Sequence, residues 1–307
     1  MSKYPIKKEF FPYNHIKFRL NRRMIALAQN YMKVPRFFWN DPEVATEKHL
    51  FQSYDGAEIE LYLLTPKRVA GPMPCLMLNH GGGFVLEAAP YHYRLALEYA
   101  KRVGCKVVFV RYRLAPEHPF PTQFEDCFAG LSRVLERAEE LGIDREKIGV
   151  GGDSAGGTLS ASMCLMARDR GLPVKLRFQM LIYPYLDRRR ESESYKRFTD
   201  TPMWNSTLSA AVNPLFLPDK TVENIVYASP VQAERLDGMP EAYIETAEFD
   251  SIHDDGVLYA RLLQESGVAV KLHETEGTMH GFDIALNAPT TRAMVEQRIG
   301  FMRRMFE

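Results

Sequence analysis

The chain has 307 residues, of which 46% are hydrophobic and 25% are charged, a composition that is ordinary for a globular protein. Its 39 basic and 39 acidic side chains give a formal net charge of zero. This balance excludes a protein that recruits nucleic acid or an anionic membrane through its overall charge.

The first 47 residues are predicted to contain one amphipathic helix, because apolar residues recur at helical spacing over residues 16–32. An aromatic cluster, Phe37-Phe38-Trp39, follows in a loop bounded by proline. These three side chains either pack in the interior or form one wall of a pocket, and the sequence leaves both interpretations open.

From residue 48 onward the pattern changes to strands. Residues 48–53 and 59–64 flank the step Asp55-Gly56 and predict a hairpin. Farther along, short apolar runs predict buried strands, and segments with helical periodicity separate them. The predicted strands are 48–53, 59–64, 75–79, 105–112, 148–150, 178–183, 242–247 and 268–275, and the predicted helices are 91–103, 124–141, 155–168, 254–265 and 290–306.

Residues 186–222 break this alternation, because they are polar and then interrupted by proline, and we interpret them as an insertion. Their run Arg188-Arg189-Arg190 is interpreted as a solvated loop. Elsewhere the alternation predicts an α/β fold, with a mostly parallel eight-stranded sheet covered by helices on both faces. Ligands of such sheets bind at the carboxyl ends of the strands, and each motif considered below follows a strand.

The cysteines carry no metal or redox motif. They form no CxxC pair, and each lies in an apolar run, so we interpret them as buried residues of a protein in a reducing compartment. The first nine residues lack a signal-peptide core, and no run is long enough to span a bilayer. We therefore expect a cytoplasmic protein without stable membrane anchoring. The four cysteines are Cys75, Cys105, Cys127 and Cys164.

A serine lies between a predicted strand and a predicted helix, in Gly152-Asp153-Ser154-Ala155-Gly156. This is the pattern of a nucleophile elbow, a turn so tight that the serine backbone is strained and its flanking positions must be glycine. The turn would present the Ser154 hydroxyl at a helix N-terminus, where amide groups favour developing negative charge. A glycine-rich turn with a capping serine has the same pattern, so the other motifs decide whether Ser154 is a nucleophile or only caps the helix.

A serine hydroxyl is a poor nucleophile unless a base lies beside it. His280 is the candidate base, because it follows the last predicted strand in a loop flanked by glycine. His80 precedes a run of three glycines and is interpreted as bonding within that loop. The weaker alternatives are His253, His118 and His92.

The base in turn needs a carboxylate that holds its tautomer and stabilises the imidazolium. Asp250 is the candidate, because it directly follows the predicted strand 242–247. Glu248 is an alternative that comes too early, and Asp254 and Asp255 are interpreted as capping and first-turn acids of the next helix. The order Ser154, Asp250, His280 is the order expected of an α/β-hydrolase.

A tetrahedral oxyanion needs backbone N–H donors. One donor is expected from Ala155, the residue after the serine, and the others from the glycine loop 81–83. The alternative for three consecutive glycines is a phosphate loop, but no GK[ST] follows them.

Five motifs occur in the order of a known family over about residues 48–307. The chain resembles the hormone-sensitive-lipase-type esterases of the α/β-hydrolase superfamily, except that Ser251 and His253 stand where that family usually has proline and arginine. The motifs are His80-Gly81-Gly82-Gly83-Phe84, Tyr112-Arg113-Leu114-Ala115-Pro116-Glu117, Gly152-Asp153-Ser154-Ala155-Gly156-Gly157, Phe249-Asp250-Ser251-Ile252-His253-Asp254-Asp255-Gly256 and Met279-His280-Gly281-Phe282.

The resemblance implies a serine carboxylesterase for small-molecule esters with short to medium acyl chains, without a metal or other cofactor. It implies a hydrolase core of residues 48–185 and 223–307, under a helical cap built from 1–47 and 186–222. It also suggests that Gly82 and Gly83 donate to the oxyanion, with Gly81 a weaker candidate. Asp153 is interpreted as structural, hydrogen-bonded to the loop 113–121.

Two other functions fit parts of this pattern. Amide, carbamate or lactone hydrolysis would use the same three side chains, so the sequence does not separate it from ester hydrolysis. A small-molecule receptor on a hydrolase scaffold is a different class, but such receptors tend to lose the histidine that this chain retains as His280. The resemblance also suggests a homodimer paired through the exposed last strand.

Overall fold

One twisted sheet organises the computed structural model, which describes residues 3–18, 20–31, 39–69, 71–218 and 224–307. Within these residues eight strands form the sheet, in the spatial order β1-β2-β4-β3-β5-β6-β7-β8. The strands are β1 (Val44–Gln52), β2 (Glu58–Pro66), β3 (Met73–Asn79), β4 (Lys106–Arg111), β5 (Ile143–Asp153), β6 (Phe178–Ile182), β7 (Glu241–Phe249) and β8 (Val270–Met279).

The strand directions confirm the predicted fold class. β2 alone runs opposite to the other seven strands, and it forms the predicted hairpin with β1 around Asp55-Gly56. From β4 across to β8 every pairing is parallel. The carboxyl ends of the central strands therefore meet at one edge of the sheet. Since β1 begins at Val44, the sheet starts within the block 1–47 that the sequence assigns to the cap.

Alternation along the central strands divides the core into two layers. In β3, Cys75 and Met77 pack into one layer and Leu76 and Leu78 into the other. Because both faces are buried, apolar residues occupy consecutive positions in these strands, as in residues 75–78, rather than every second position. The helices that cover the first layer are α3 (Thr122–Glu136), α4 (Ala155–Asp169) and α8 (His253–Glu265), and those that cover the second are α2 (Pro90–Tyr99) and α9 (Pro289–Phe306).

The first helix, α1 (Arg22–Tyr31), is shorter than the predicted 16–32. The reason is a tertiary contact: Lys17 forms an isolated parallel bridge with Met203, and the Ile16 carbonyl accepts the Met203 N–H at 2.9 Å. This backbone pairing uses groups that a helix would need for its own hydrogen bonds. The N-terminal segment is therefore joined to the insertion.

The insertion contains short helices, two of which have side-chain N-caps. These are α5 (Glu193–Arg197), α6 (Ser206–Phe216) and, just beyond the predicted boundary, α7 (Ile225–Ala228). The side chains of Ser192 and Asn205 cap α5 and α6 by accepting backbone N–H groups of Tyr195 and Leu208. In the described parts of the chain, no helix combines the length and the apolar character needed to cross a bilayer.

Candidate active site

Ser154 lies on a strained turn between β5 and α4. Its φ of +52° is in the left-handed region that non-glycine residues seldom adopt. A Cβ atom at Gly152 or Gly156 would overlap the Asn79 carbonyl oxygen on the neighbouring strand, so both positions require glycine. The turn is fixed to β6, where the Ile182 carbonyl accepts the Ser154 N–H at 2.8 Å. This is the geometry of a nucleophile elbow.

The structure brings His280 and Asp250 to this serine. His280 follows β8, and its Nε2 lies 2.9 Å from Ser154 Oγ. Its Nδ1 lies 2.6 Å from Asp250 Oδ2, at the end of β7. Both side chains are buried, and Asp250 Oδ1 also accepts the Ile252 N–H at 3.1 Å. Three side chains that are far apart in sequence therefore form one hydrogen-bonded chain.

The other histidines have different partners. His80 is buried, and its Nδ1 lies 2.7 Å from the Gly81 carbonyl oxygen, so it bonds within its own loop as expected. Burial lowers the pKa of His80 to about 3, which keeps its ring neutral. His253 lies between the carboxylates of Asp254 and Glu274, at 3.0 and 3.1 Å.

The alternative acids are also engaged elsewhere. Glu248 accepts the Gly277 N–H at 2.6 Å. Asp254 and Asp255 lie in the first turn of α8 as predicted, but neither is its N-cap residue, which is Ile252. Asp254 accepts the Ser194 N–H at 2.8 Å, and Asp255 accepts two N–H groups of the insertion. The insertion passes over the start of α8, which brings its N–H groups to these two carboxylates. Both carboxylates therefore hold the insertion against the core.

Three backbone N–H groups of the glycine loop and the elbow have no hydrogen-bond acceptor in the described part of the chain. Within the described residues, the N–H groups of Gly82, Gly83 and Ala155 donate to no protein acceptor. Gly83 has a φ of +62°, and a Cβ atom there would overlap the ring of Trp204. The Gly81 N–H, in contrast, donates to Asp153 Oδ1 at 2.9 Å.

The interpretation of Asp153 as a partner of the loop 113–121 is wrong. Its carboxylate instead accepts the Gly81 N–H, the Tyr91 hydroxyl at 3.0 Å, and His92 Nε2 at 3.0 Å. Arg113 is held by Asp126 and Asp55. Burial opposes the charge of Asp153, but the charge and hydrogen bond of His92, with the other two donors, lower its pKa to about 2. Sequence reasoning did not identify Tyr91 and His92 as supports of the glycine loop. Both lie in α2, and only the folded structure brings α2 next to that loop.

The two tryptophan side chains of the predicted cap lie in different parts of the structure. The Trp204 ring centroid lies 6.2 Å from that of His280. Trp39 instead stacks on Tyr62 at 4.8 Å and meets Tyr93 edge-on, so it packs in the core layer under α2. Phe37 and Phe38 lie outside the described residues.

A buried ion network supports the loop that carries His280. Arg298 of α9 is fully buried and bonds Glu245 of β7 at 2.6 Å and Asp283 at 2.8 Å. Asp283 also accepts the Tyr183 hydroxyl at 3.1 Å. Every charge in this network is paired, as burial requires. In the described parts of the chain, no group of three or more His, Cys, Asp or Glu side chains could hold a metal ion.

Comparisons with known proteins identify the family and agree with the fold. The Abhydrolase_3 family model, described as an α/β-hydrolase fold, matches residues 76–284. The carboxylesterase NlhH of Mycobacterium tuberculosis is 35% identical over 86% of this chain and 83% of its own length. Arylacetamide deacetylase of Bos taurus is 32% identical over 67% of each chain. The solved structure of a bacterial heroin esterase superposes with a TM-score of 0.90 at 33% identity, over 100% of both chains.

Proposed function

This chain belongs to the α/β-hydrolase-fold family of hormone-sensitive-lipase-type esterases, and from that premise we propose that Ser154, His280 and Asp250 hydrolyse carboxylic esters. The observation that carries the proposal is the continuous contact from Ser154 Oγ to His280 Nε2 at 2.9 Å and from His280 Nδ1 to Asp250 at 2.6 Å. A nucleophile, a base and an orienting acid are thereby within direct proton-transfer reach.

In the first half-reaction Ser154 Oγ attacks the ester carbonyl carbon while His280 Nε2 takes the hydroxyl proton. Asp250 holds the proton on Nδ1, so that Nε2 is free to accept, and then stabilises the imidazolium. The tetrahedral intermediate collapses when the alcohol leaves with the proton from Nε2. The products of this step are the alcohol and an acyl group bound to Ser154.

The N–H groups of Gly82, Gly83 and Ala155 are proposed to hold the oxyanion. Glycine at the first two positions leaves room for the substrate to approach the amides. Each lost donor of this kind typically costs about 3 kcal/mol of transition-state stabilisation. The hydrogen bond from the Gly81 N–H to Asp153 argues against Gly81 as a fourth donor, and anchors the loop instead.

Water completes the reaction by the same route. His280 Nε2 takes a proton from water, hydroxide oxygen attacks the acyl carbon, and Ser154 leaves with that proton. The acid is released and the enzyme returns to its starting state. We propose esters with short to medium acyl chains as substrates.

The predicted division into core and cap remains part of the proposal. Of the predicted cap, residues 186–222 and the part of 1–47 that precedes β1 are proposed to cover the site, and the contact between Lys17 and Met203 supports this. Trp204 would form the cap wall beside His280. We also propose a cytoplasmic location, in keeping with four buried free cysteines, and a homodimer through β8, whose position at the sheet edge leaves one side without a strand.

The replacement Ser154→Ala tests the mechanism directly. We expect turnover of p-nitrophenyl acetate and butyrate to fall by about 10⁶-fold, because the nucleophile is removed. Circular dichroism should report an intact fold. Ser132→Ala is the matched control, since Ser132 bonds the Phe128 carbonyl in α3 and should leave turnover unchanged. Full activity of Ser154→Ala would end the proposal.

Amide hydrolysis is a second candidate, favoured by the similarity to a protein named arylacetamide deacetylase. The same three side chains would serve it. Rates on p-nitrophenyl acetate and on p-nitroacetanilide, measured with one preparation and with Ser154→Ala as the blank, separate the two activities.

A further inference from the structure

A cavity of about 390 Å³ lies between the insertion and the core, on the side of α6. Arg188, Asn213, Leu217, Ile225 and Gln232 are among its lining residues. Arg188 belongs to the arginine run that the sequence suggests is a solvated loop. That interpretation is wrong for this residue, because only 8% of Arg188 is exposed. Arg188 turns inward, whereas Arg189 is exposed and Arg190 is half-buried.

The guanidinium of Arg188 has polar partners but forms no direct salt bridge among the described residues, although the buried Asp255 carboxylate attracts it through space. Its Nε donates to the Ala228 carbonyl at 2.9 Å, and its Nη1 donates to Asn213 Oδ1 at 3.2 Å. Its Nη2 is buried and has no hydrogen-bond partner in the described part of the protein. Buried arginines are ordinarily paired with carboxylates, because an unpaired buried cation is costly.

Three aromatic rings surround the same guanidinium. Its central carbon lies 3.8 Å from the centroid of Tyr185, 5.1 Å from that of Phe84 and 5.0 Å from that of Phe216. Ring faces stabilise a cation and leave the planar edge of the guanidinium available for a forked contact with an anion. Burial lowers the pKa of Arg188, but a guanidinium stays charged at any pH a protein tolerates.

The nearby carboxylates are already engaged. Asp187 pairs with Arg189 at 2.7 Å, and Asp255 accepts the N–H groups of Leu186 and Asp187. The cavity is also lined by Arg189, Arg190 and one acid, Glu191. The cavity lining therefore carries three arginines against one acid, and this excess of positive charge favours an anionic ligand.

Two contacts connect this site to the proposed catalytic centre. Phe84, which packs on the guanidinium, directly follows Gly83 of the glycine loop. Tyr185, which stacks on it, donates its N–H to the Ser154 carbonyl at 3.3 Å. Phe84 and Tyr185 thus connect the guanidinium to the glycine loop and to the elbow that carries Ser154.

We propose that Arg188, assisted by Asn213, binds the carboxylate of an ester substrate. The favoured substrates are half esters of dicarboxylic acids, in which one carboxyl group is esterified and the other is free. Arginine suits this role because its fork matches a carboxylate with two parallel N–H donors. This inference rests on the proposed ester hydrolysis and adds the class of ester that the site prefers.

The test compares p-nitrophenyl half esters of succinate, glutarate and adipate with their neutral methyl diesters. The measured quantity is the ratio of kcat/KM for the half ester to that for its diester. We expect Arg188→Met to lower this ratio by about tenfold or more for at least one chain length, because a charged hydrogen bond is lost. Arg188→Lys should lower it less. Arg197→Met, the same charge change on an exposed helix of the insertion, should leave the ratio unchanged.

The outcomes are distinguishable from failure of the proposed function. If the wild-type protein hydrolyses no neutral diester, the esterase proposal fails. If Arg188→Met lowers both rates by one factor, or fails to fold while Arg188→Lys keeps the wild-type ratio, Arg188 is a packing residue and the inference is overturned. Free glutarate is a separate arm: inhibition that depends on Arg188 without any gain for half esters assigns the site to a free anion and also overturns the inference.

Discussion

The two oxygens of the Asp250 carboxylate form different hydrogen bonds. Oδ2 holds His280 Nδ1 at 2.6 Å, and Oδ1 accepts the Ile252 N–H at 3.1 Å. The second contact fixes the carboxylate plane, so the first can fix the imidazole. His280 Nε2 then faces Ser154 as an acceptor. The loop that carries Asp250 lacks the family's usual proline and arginine, and this backbone contact holds the carboxylate in place.

At this scale we predict the effect of Asp250→Asn. The amide cannot stabilise the imidazolium and favours the wrong tautomer, so kcat should fall by about 10⁴-fold with little change in KM. Steady-state kinetics on p-nitrophenyl butyrate measures it. Asp254→Asn is the control, because Asp254 bonds Ser194 rather than His280 and should keep most of the activity. A kcat within tenfold of wild type for Asp250→Asn would remove Asp250 from the mechanism.

Among the secondary-structure elements, the junction of β5, α2 and the glycine loop is held by one carboxylate. Asp153 joins all three, through its own position on β5, through Tyr91 and His92 of α2, and through the Gly81 N–H. It stands next to Ser154 in the chain. The loop and the elbow are therefore positioned by the same group.

This junction gives a pH dependence of known sign. The pKa of Asp153 in the folded protein is about 2, below the ordinary value of about 3.9 in an unfolded chain. Its stabilising effect is complete above the unfolded pKa and is lost as the pH falls towards the folded one. We expect the free energy of unfolding of wild type minus that of Asp153→Asn to shrink by about 1 kcal/mol between pH 6 and pH 3. Urea titrations at each pH measure it, and a difference that grew with acidity would contradict the assignment.

For the whole molecule, Arg298 links the C-terminal helix to the sheet and to the His280 loop. Its guanidinium is fully buried and holds Glu245 and Asp283, with Tyr99 at 3.3 Å. Three parts of the chain that are distant in sequence meet at this one cation. The same buried ion network therefore stabilises the fold and positions the loop that carries His280.

Removing that cation should be costly. We expect Arg298→Met to lower the free energy of unfolding by about 3–5 kcal/mol, because two buried carboxylates lose their partner. Chemical denaturation measures it. Arg304→Met is the control on the same helix, since its pair with Glu241 is exposed and should contribute less than about 1 kcal/mol. Equal losses of unfolding free energy for the two replacements would show that the buried network stabilises the fold no more than an exposed ion pair does.

The fold and the positions of the three central side chains were predictable for one physical reason. Parallel strands end at a common edge, so residues that follow β5, β7 and β8 must meet there. The partners of Asp153, Asp254 and Arg188 were not predictable in this way. They depend on where the insertion and α2 return over the core, and local periodicity carries no information about such contacts. The short α1 has the same cause, since Lys17 forms an isolated backbone bridge with Met203 of the insertion.

The position of Trp204 has an optical consequence. The chain has two tryptophans, and they occupy unlike surroundings. The Trp204 indole lies against Gly83 and near His280, whereas Trp39 is packed among Tyr62, Tyr93 and Phe109. After Trp39→Phe, all indole emission would originate beside Ser154. Formation and decay of the acyl intermediate would then be visible as intrinsic fluorescence, without any attached dye.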